Sequence, residues 1–247
     1  MLSYQNRCHL SHIALRKEPS HRSEMLSELL FGETYQIIEQ QDHWSFIKTD
    51  YDLYEGWLPN GQIQQQIITE PIQCLKVPIY ARPSNKMLSI GSFVNQQLCP
   101  LLPPTGHCTT NNDSYNTKTL FSLANNYFLD TPYLWGGRTM WGIDCSGLTQ
   151  ILYRTIGIVL NRDSHQQATG GTTIAFEGHR IGDLAFFSST PDREKITHVG
   201  IIAPDQKILH AAGYVKYNTL TAQGILDHDQ TTYTHYLISV CRYADLI

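Results

Sequence analysis

The pattern of apolar residues changes once along this chain of 247 residues, near residue 117. Before that point, short apolar runs alternate with turn residues, which is typical of the strands of a small β-barrel. After it, residues 119–129 and 145–156 repeat apolar side chains at helical spacing, and short apolar runs return from residue 184. Helices followed by an antiparallel sheet predict an α+β fold for this half of the chain.

The same patterns divide the chain into three predicted domains. The first should form a small β-barrel, the second repeats its short strands more weakly, and the third has the α+β pattern. In the second, strands are predicted at 77–80 and 91–94 with a turn at 83–85, followed by a Pro-rich linker or exposed loop. The predicted boundaries are 1–65, 66–112 and 113–247.

Composition and charge exclude several classes of protein. The net charge of −4 provides no basic field that would attract nucleic acid. No apolar run approaches the roughly 18 residues of a membrane span, and the N-terminus has no apolar core typical of a signal peptide. The six cysteines show no C-x-x-C spacing, which argues against zinc-ribbon and redox motifs. We therefore expect a cytoplasmic protein without a membrane span or a nucleic-acid partner.

The most informative stretch combines PYLWGG at residues 132–137 with GIDCSG at residues 142–147. Cys145 stands at the start of a helical segment, where free N–H groups and a partial positive charge favour a thiolate. We therefore expect a lowered pKa and a nucleophilic role for Cys145. Gly147 would let a substrate backbone approach closely. The alternative is that Cys145 is a buried thiol at an ordinary helix start.

A nucleophilic thiol needs a proton acceptor, and two histidines are candidates. Two predicted strands flank a turn at residues 204–206, and this turn would bring His198 and His210 to one face as diagonal neighbours, roughly 7 Å apart at the backbone. One ring could then contact the thiolate while the other orients it. Two half-buried histidines on a sheet are the first alternative. A metal pair is another, although no additional ligand has a helpful spacing.

Five sequence motifs occur in this order in the third predicted domain: Tyr133-x-Trp135-Gly136-Gly137, Asp144-Cys145-Ser146-Gly147, Gly182-Asp183-Leu184, His198-Val199-Gly200-Ile201 and His210. Taken together, they resemble the NlpC-type cell-wall cysteine peptidases over residues 115–247. The resemblance implies a papain-like core without a metal or organic cofactor. It also implies that Cys145 is the nucleophile, His198 the base and His210 the polar third residue, and that the substrate is a peptidoglycan stem peptide.

A further segment, Arg162-Asp163-Ser164-x-x-Gln167, resembles the subgroup that cleaves γ-D-glutamyl–diamino-acid bonds. In that subgroup the Asp binds the free N-terminal amine of L-alanine, a strong contact between opposite charges. The resemblance therefore implies that Tyr133, Ser146, Asp163 and Ser164 bind substrate, with Tyr133 lining the oxyanion region or the S2 side. Alternatively, Asp163 and Ser164 cap a short helix through 164–168, and Tyr133 is a buried aromatic.

The first domain resembles the bacterial SH3-like domains that precede the catalytic domain in this subgroup. Its matching residues are Glu24, Gly32-Glu33, Trp44 and Tyr54-x-Gly56-Trp57. The resemblance implies that Tyr54 and one acidic residue, Glu24 rather than Glu28, contact the substrate amine. Residues 66–112 resemble a second, degenerate SH3-like domain. The alternative is that Tyr54 and Glu24 are ordinary surface residues of a binding module.

The expected activity is hydrolysis of the γ-D-glutamyl–diaminopimelate bond in peptidoglycan-derived tripeptides or tetrapeptides with a free N-terminal L-Ala. The setting would be cytoplasmic recycling of the cell wall. Three alternatives remain open: an exported hydrolase acting on polymeric peptidoglycan, a non-catalytic peptidoglycan-binding protein, and a thiol acyltransferase. The sequence does not distinguish diaminopimelate from lysine in the substrate, and it does not determine the oligomeric state.

Overall fold

The structure is a computed structural model that describes residues 4–67, 72–76, 78–81, 86–95, 116–229 and 231–244. It divides into two compact units. The N-terminal unit comprises Met1–Asn112 with Trp135–Met140, and the C-terminal unit comprises Asp113–Leu134 with Trp141–Ile247. The three-domain division remains a prediction. The predicted turn at 83–85 and the Pro-rich segment lie outside the described residues.

The N-terminal unit is built from short strands, as the sequence predicts. They are β1 (Tyr4–Arg7), β2 (His12–Arg16), β3 (Met25–Leu30), β4 (Thr34–Gln40), β5 (Trp44–Thr49), β6 (Glu55–Pro59), β7 (Gln65–Ile67), β8 (Ile72–Cys74), β9 (Ile79–Ala81), β10 (Lys86–Leu88), β11 (Phe93–Asn95) and β12 (Arg138–Thr139). Strands β1 to β7 form one sheet in the order β3-β2-β6-β5-β4-β1-β7. The strands predicted at 77–80 and 91–94 overlap β9 and β11, which belong to different pairs, because β9 pairs with β10 and β11 pairs with β8.

Alternation along these strands places one face of the seven-stranded sheet in a hydrophobic core. In β5, Ser45, Ile47 and Thr49 are buried, whereas the residues between them are only half-buried. Burial of each large apolar side chain contributes about 1.5–3 kcal/mol, so this core is the main source of the sheet's stability. Its members are Cys8, Ile13, Leu15, Leu29, Tyr35, Ile47 and Leu58.

A buried ionic network holds residues 135–140 within the N-terminal unit. The Arg138 guanidinium donates two hydrogen bonds to the Glu33 carboxylate, from Nη2 to Oε1 at 2.9 Å and from Nη1 to Oε2 at 3.1 Å. The Arg138 N–H donates to Glu28 Oε2 at 2.7 Å, and His12 Nδ1 lies 2.7 Å from Glu28 Oε1. Since Arg138, Glu33 and Glu28 are each at most 2% exposed, their charges depend on one another for compensation.

The described residues of the C-terminal unit form three α-helices and a second seven-stranded sheet. Its elements are α1 (Thr117–Tyr127), β13 (Gly142–Ile143), α2 (Cys145–Thr155), α3 (Ser164–Gln167), β14 (Thr172–Ile174), β15 (Leu184–Ser188), β16 (His198–Ala203), β17 (Lys207–Ala212), β18 (Tyr214–Thr219), β19 (Gly224–Leu226) and β20 (Tyr233–Arg242). The sheet order is β14-β20-β15-β16-β17-β18, with β19 on β20 and every pair antiparallel. No helix in the described part of the chain is long and apolar enough to cross a membrane.

The two helices predicted from the spacing of apolar residues are present as α1 and α2. Leu120, Leu123 and Ala124 form the buried face of α1. Every residue of α2 is buried, because this helix packs on β16 and β17 on one side and on α1 on another. The first residue of α2, Cys145, therefore begins a helix in the interior of the unit.

The predicted hairpin is formed by β16 and β17. Its register pairs Ile201 with Leu209 and Ala203 with Lys207, so continuing the same register places residue 198 opposite residue 212. Asp205 and Gln206 in the connecting turn both have positive φ, 57° and 54°, which this tight reversal of the chain requires. The hairpin thus brings His198 and His210 to one face of the sheet.

Candidate active site

The start of α2 is organised around a buried ion pair. Asp144 is the N-cap residue, and its Oδ1 accepts a 2.7 Å hydrogen bond from the Gly147 N–H. The Arg162 guanidinium donates to both Asp144 oxygens, and its Nη1 also donates to Ser146 Oγ at 2.9 Å. Because Arg162 is 1% exposed, the pair is shielded from solvent and holds the residues on either side of Cys145 in place.

The Cys145 thiol is buried between this helix start and β16. Burial, followed by the neighbouring Asp144 carboxylate, raises the pKa of Cys145 to about 12. Hydrogen bonds from the backbone of Val199 and Ser146 and the positive charge of Arg162 offset only part of this effect. The expected lowering of the pKa by the helix N-terminus is therefore wrong for the isolated thiol, because desolvation of the thiolate outweighs the helix dipole.

The two predicted histidines are in direct contact. His198 Nε2 lies 2.8 Å from His210 Nδ1, and the two rings meet edge to face with centroids 5.0 Å apart. Both residues are buried, at 5% and 1% exposure. His198 is the first residue of β16 and precedes Val199, whose backbone contacts the Cys145 thiol. The structure therefore gathers Cys145, His198 and His210 in one region of the C-terminal unit.

Three further residues surround these histidines and were missed by the sequence reasoning. His235 of β20 stacks on His198, with ring centroids 4.1 Å apart. Asn218 Oδ1 lies 3.0 Å from His210 Nε2, and Lys216 is paired with His210 across the strands. Because residues 216 and 218 are two positions apart on one strand, the sequence could have indicated that they lie on the same face of the sheet. His235 could not have been found in this way, because only the order of the strands in the sheet brings β20 close to His198.

Burial and mutual repulsion keep these histidines neutral. The pKa of His198 lies well below its usual value, first because the ring is buried and then because His210, His235 and Lys216 oppose a further positive charge. Burial likewise lowers the pKa of His210 and of His235 to about 4. This region of the C-terminal unit therefore holds neutral imidazoles and a protonated Cys145 thiol at neutral pH.

Tyr133 also belongs to this region of the C-terminal unit. Its backbone N–H donates to the Gly213 carbonyl at 2.9 Å, and the residue pairs with Ile143 just before the helix start. Burial raises the pKa of Tyr133, and the neighbouring Cys145 and Asp144 side chains raise it further, so its hydroxyl remains a hydrogen-bond donor. The side chain is half-buried and not enclosed.

The two ends of the Arg162–Gln167 segment contact the start of α2, whereas Asp163 between them begins α3. At its ends, Arg162 holds Asp144, and Gln167 Nε2 donates to the carbonyl oxygen of Ser146 at 3.1 Å. Between them, Asp163 is the N-cap residue of α3, and its backbone N–H donates to Gln166 Oε1 at 3.4 Å. The predicted capping position is thus present. Asp163 and Ser164 remain half-buried, and their binding role stays a prediction.

The other predicted ligand residues differ in their exposure. The Ser146 hydroxyl is buried and accepts a hydrogen bond from Arg162. In the N-terminal unit, Glu24 is exposed and its Oε1 accepts a 2.9 Å hydrogen bond from Trp135 Nε1, while Tyr54 is half-buried. Glu28 is buried in the Arg138 network. Substrate binding by Ser146, Glu24 and Tyr54 stays a prediction.

The described cysteines and acidic residues contain no metal-binding cluster. Cys8, Cys74, Cys145 and Cys241 are free, buried thiols. Among the residues that the structure describes, no group of three or more His, Cys, Asp or Glu side chains is arranged to hold a metal ion. Cys99 and Cys108 lie outside the described residues.

Two family models match separate parts of the chain. Residues 130–237 match the model of the NlpC/P60 family, and residues 15–63 match the model of the bacterial dipeptidyl-peptidase SH3 domain. A gamma-D-glutamyl-L-lysine dipeptidyl-peptidase of Bacillus cereus is 27% identical over 226 residues, which cover 76% of this chain and 68% of the relative. Dipeptidyl-peptidase 6 of Lysinibacillus sphaericus is 25% identical over 252 residues, covering 85% and 89%.

A solved structure shares the fold over nearly the whole length of the chain. An NlpC/P60 family protein from Bacillus cereus superimposes with a TM-score of 0.77 at 19% sequence identity, covering 98% of this chain and 99% of the other. The predicted α+β fold class is thereby confirmed. The chain carries a papain-like NlpC/P60 domain preceded by a bacterial dipeptidyl-peptidase SH3 domain.

Proposed function

We propose that this protein is a cysteine endopeptidase that hydrolyses the γ-D-glutamyl–diamino-acid bond of short peptidoglycan stem peptides. The observation that carries the proposal is the thiol of Cys145, at the start of α2, in one region with the hydrogen-bonded pair of His198 and His210. A nucleophile, a base and a residue that orients the base are the parts that acyl transfer requires. The bond is chosen because relatives are named gamma-D-glutamyl-L-lysine dipeptidyl-peptidases.

In the proposed mechanism the thiol and the imidazole begin neutral. His198 removes the Cys145 proton as the sulfur attacks the γ-carbonyl carbon of D-Glu. The negative charge that forms on the carbonyl oxygen is stabilised by the Cys145 N–H, which has no intrahelical partner at the first position of α2, and by the Tyr133 hydroxyl. His198 then protonates the leaving amine of the diamino acid, which leaves a thioester. Water, deprotonated by His198, hydrolyses the thioester and restores the thiol.

The lowered histidine pKa values predict the pH dependence of this reaction. Activity requires neutral His198, and burial beside His210, His235 and Lys216 disfavours its protonation. We therefore expect the acid limb of kcat/KM to lie below pH 6.5, the ordinary histidine value. Lys216→Met removes one of the opposing charges and should move this limb to higher pH. An acid limb above pH 6.5, or a limb unaffected by Lys216→Met, would contradict this electrostatic account.

We further propose that the substrate carries a free N-terminal L-Ala whose ammonium contacts Asp163. Asp163 is a half-buried residue at the start of α3, so a contact of its carboxylate with a cation would be only partly screened by water. A stem peptide gains a free amine only after release from muramic acid. The proposed setting is therefore the recycling of released peptides in the cytoplasm.

The substrate test compares L-Ala-γ-D-Glu-diaminopimelate with its N-acetylated form, its muramic-acid conjugate and the corresponding lysine peptide, using mass spectrometry of the products. Cleavage of the free peptides alone is expected, with Asp163→Asn raising KM by roughly 10–100-fold through loss of a charge-assisted contact. The exposed-turn variant Asp205→Asn serves as the matched control. Equal cleavage of free and blocked peptides would instead indicate a hydrolase of polymeric peptidoglycan, and cleavage of none would indicate a binding protein.

A further inference from the structure

We infer that Asn218 is a positioning residue that determines which nitrogen of His198 acts as the base. The catalytic part of this inference rests on the proposed function. Asn218 lies in β18 on the same face as His210, because residue 216, two positions earlier, pairs directly with His210. It was not among the residues that the family motifs singled out. Its two amide atoms are both engaged, one with His210 and one with a backbone group.

The orientation of the Asn218 amide follows from its backbone partner. Asn218 Nδ2 donates to the Leu226 carbonyl oxygen at 3.0 Å. A carbonyl oxygen can only accept, so the amide nitrogen must face Leu226, and the amide oxygen must face His210. With the amide reversed, two acceptor oxygens would meet at this distance. Leu226 therefore supplies a fixed starting point for the whole chain of hydrogen bonds.

The protonation of both rings follows in turn from the amide oxygen. Asn218 Oδ1 is an acceptor 3.0 Å from His210 Nε2, so that nitrogen carries the proton. In the neutral ring, His210 Nδ1 is then an acceptor, and His198 Nε2, which lies 2.8 Å away, must donate to it. The neutral His198 ring consequently presents an unprotonated Nδ1. This is the nitrogen left to take the Cys145 proton.

A neutral amide suits this position better than a charged side chain. A carboxylate at residue 218 would also accept from His210 Nε2, but its charge would favour the imidazolium forms of His210 and His198. The groups that face the two rings, His235 and Lys216, oppose that protonation. The hydrogen bond from Asn218 raises the pKa of His210, but burial lowers that pKa more, so the ring stays neutral with an uncharged amide at this position.

Kinetics of three variants separate positioning from a merely structural role. Asn218→Leu should lower kcat by about 10–100-fold with little change in KM, because His198 loses its enforced tautomer. Asn218→Asp keeps the acceptor, so it should retain more kcat while moving the acid limb of the pH profile to higher pH. Asn125→Leu removes another β18 contact, the 2.8 Å bond from the Tyr217 hydroxyl to Asn125, and should leave both constants unchanged.

The tautomers can be observed directly by ¹⁵N NMR of the histidine ring nitrogens in the full chain without substrate. We expect His198 and His210 both to be protonated at Nε2 and unprotonated at Nδ1, and Asn218→Leu to populate the other tautomer. A wild-type Nδ1–H at either ring, or unchanged spectra and kcat in Asn218→Leu, would overturn the inference. The expected tautomers in a protein that cleaves none of the peptides would contradict the proposed function and leave the positioning role intact.

Discussion

Cys145→Ala should reduce peptide hydrolysis by at least about 10⁴-fold, with no measurable acyl-enzyme, while the protein stays folded. The sulfur is the atom that forms the thioester, and the neutral His198 cannot replace it as a nucleophile. The structural cost is small because the substitution removes one buried atom at a helix start that Asp144 and Arg162 continue to hold. Turnover of the free tripeptide, with circular dichroism and thermal unfolding alongside, measures both effects.

Cys8→Ala is the matched control for this substitution. Cys8 is also a fully buried thiol whose pKa burial raises, but it belongs to the core of the N-terminal unit. We expect this variant to keep the wild-type kcat. Substantial residual hydrolysis by Cys145→Ala, together with a native unfolding curve, would exclude thioester chemistry at this residue. A comparable loss in Cys8→Ala would mean that general damage to the fold explains the effect.

Arg138→Met should lower the free energy of unfolding by about 3–5 kcal/mol, the typical cost of leaving a buried charge uncompensated. The substitution removes the guanidinium that bonds both Glu33 oxygens and the Glu28 carbonyl, in a place where all three residues are almost completely buried. Methionine has a similar length and is apolar, so lost charge compensation dominates over lost volume. The corresponding fall in the midpoint of thermal unfolding is roughly 10 °C.

Lys48→Met and a double variant test the origin of this loss. Lys48 forms a 3.2 Å ion pair with Glu55, but the two side chains are 37% and 47% exposed, so breaking it should cost at most about 1 kcal/mol. Arg138→Met with Glu33→Gln removes one of the stranded charges and should recover part of the stability. If Arg138→Met were no worse than Lys48→Met, or if Glu33→Gln gave no recovery, charge compensation would not be what Arg138 contributes.

Local patterns were sufficient wherever the interacting residues are close in sequence. The apolar spacing around Leu120 and Leu148 predicts helices that are present as α1 and α2, because helical periodicity depends only on near neighbours. The turn at residues 204–206 predicts the hairpin register that brings His198 to His210, since turn length alone determines which residues face each other. The position of Cys145 at a helix start is likewise a local property.

The environment of these residues required the tertiary structure. Local reasoning expects the helix N-terminus to lower the pKa of Cys145, whereas burial raises it, because the extent of desolvation depends on the packing of α2 against β16. Pairing of β20 with β15 and β19 brings His235 onto His198, and the backbone of β19 orients Asn218. The spacing of these residues along the sequence does not predict any of these contacts.

The amino-acid sequence by itself determined the α+β class, the two long helices, the histidine hairpin and the motifs that indicated a cysteine peptidase. Only the tertiary structure decided that the Arg162 guanidinium compensates the charge of Asp144, the residue before Cys145. It also decided that Arg138 holds residues 135–140 within the N-terminal unit through its bonds to Glu28 and Glu33. The physical reason is that periodicity and turns act over a few residues, whereas ion pairing and desolvation depend on which distant segments exclude water together.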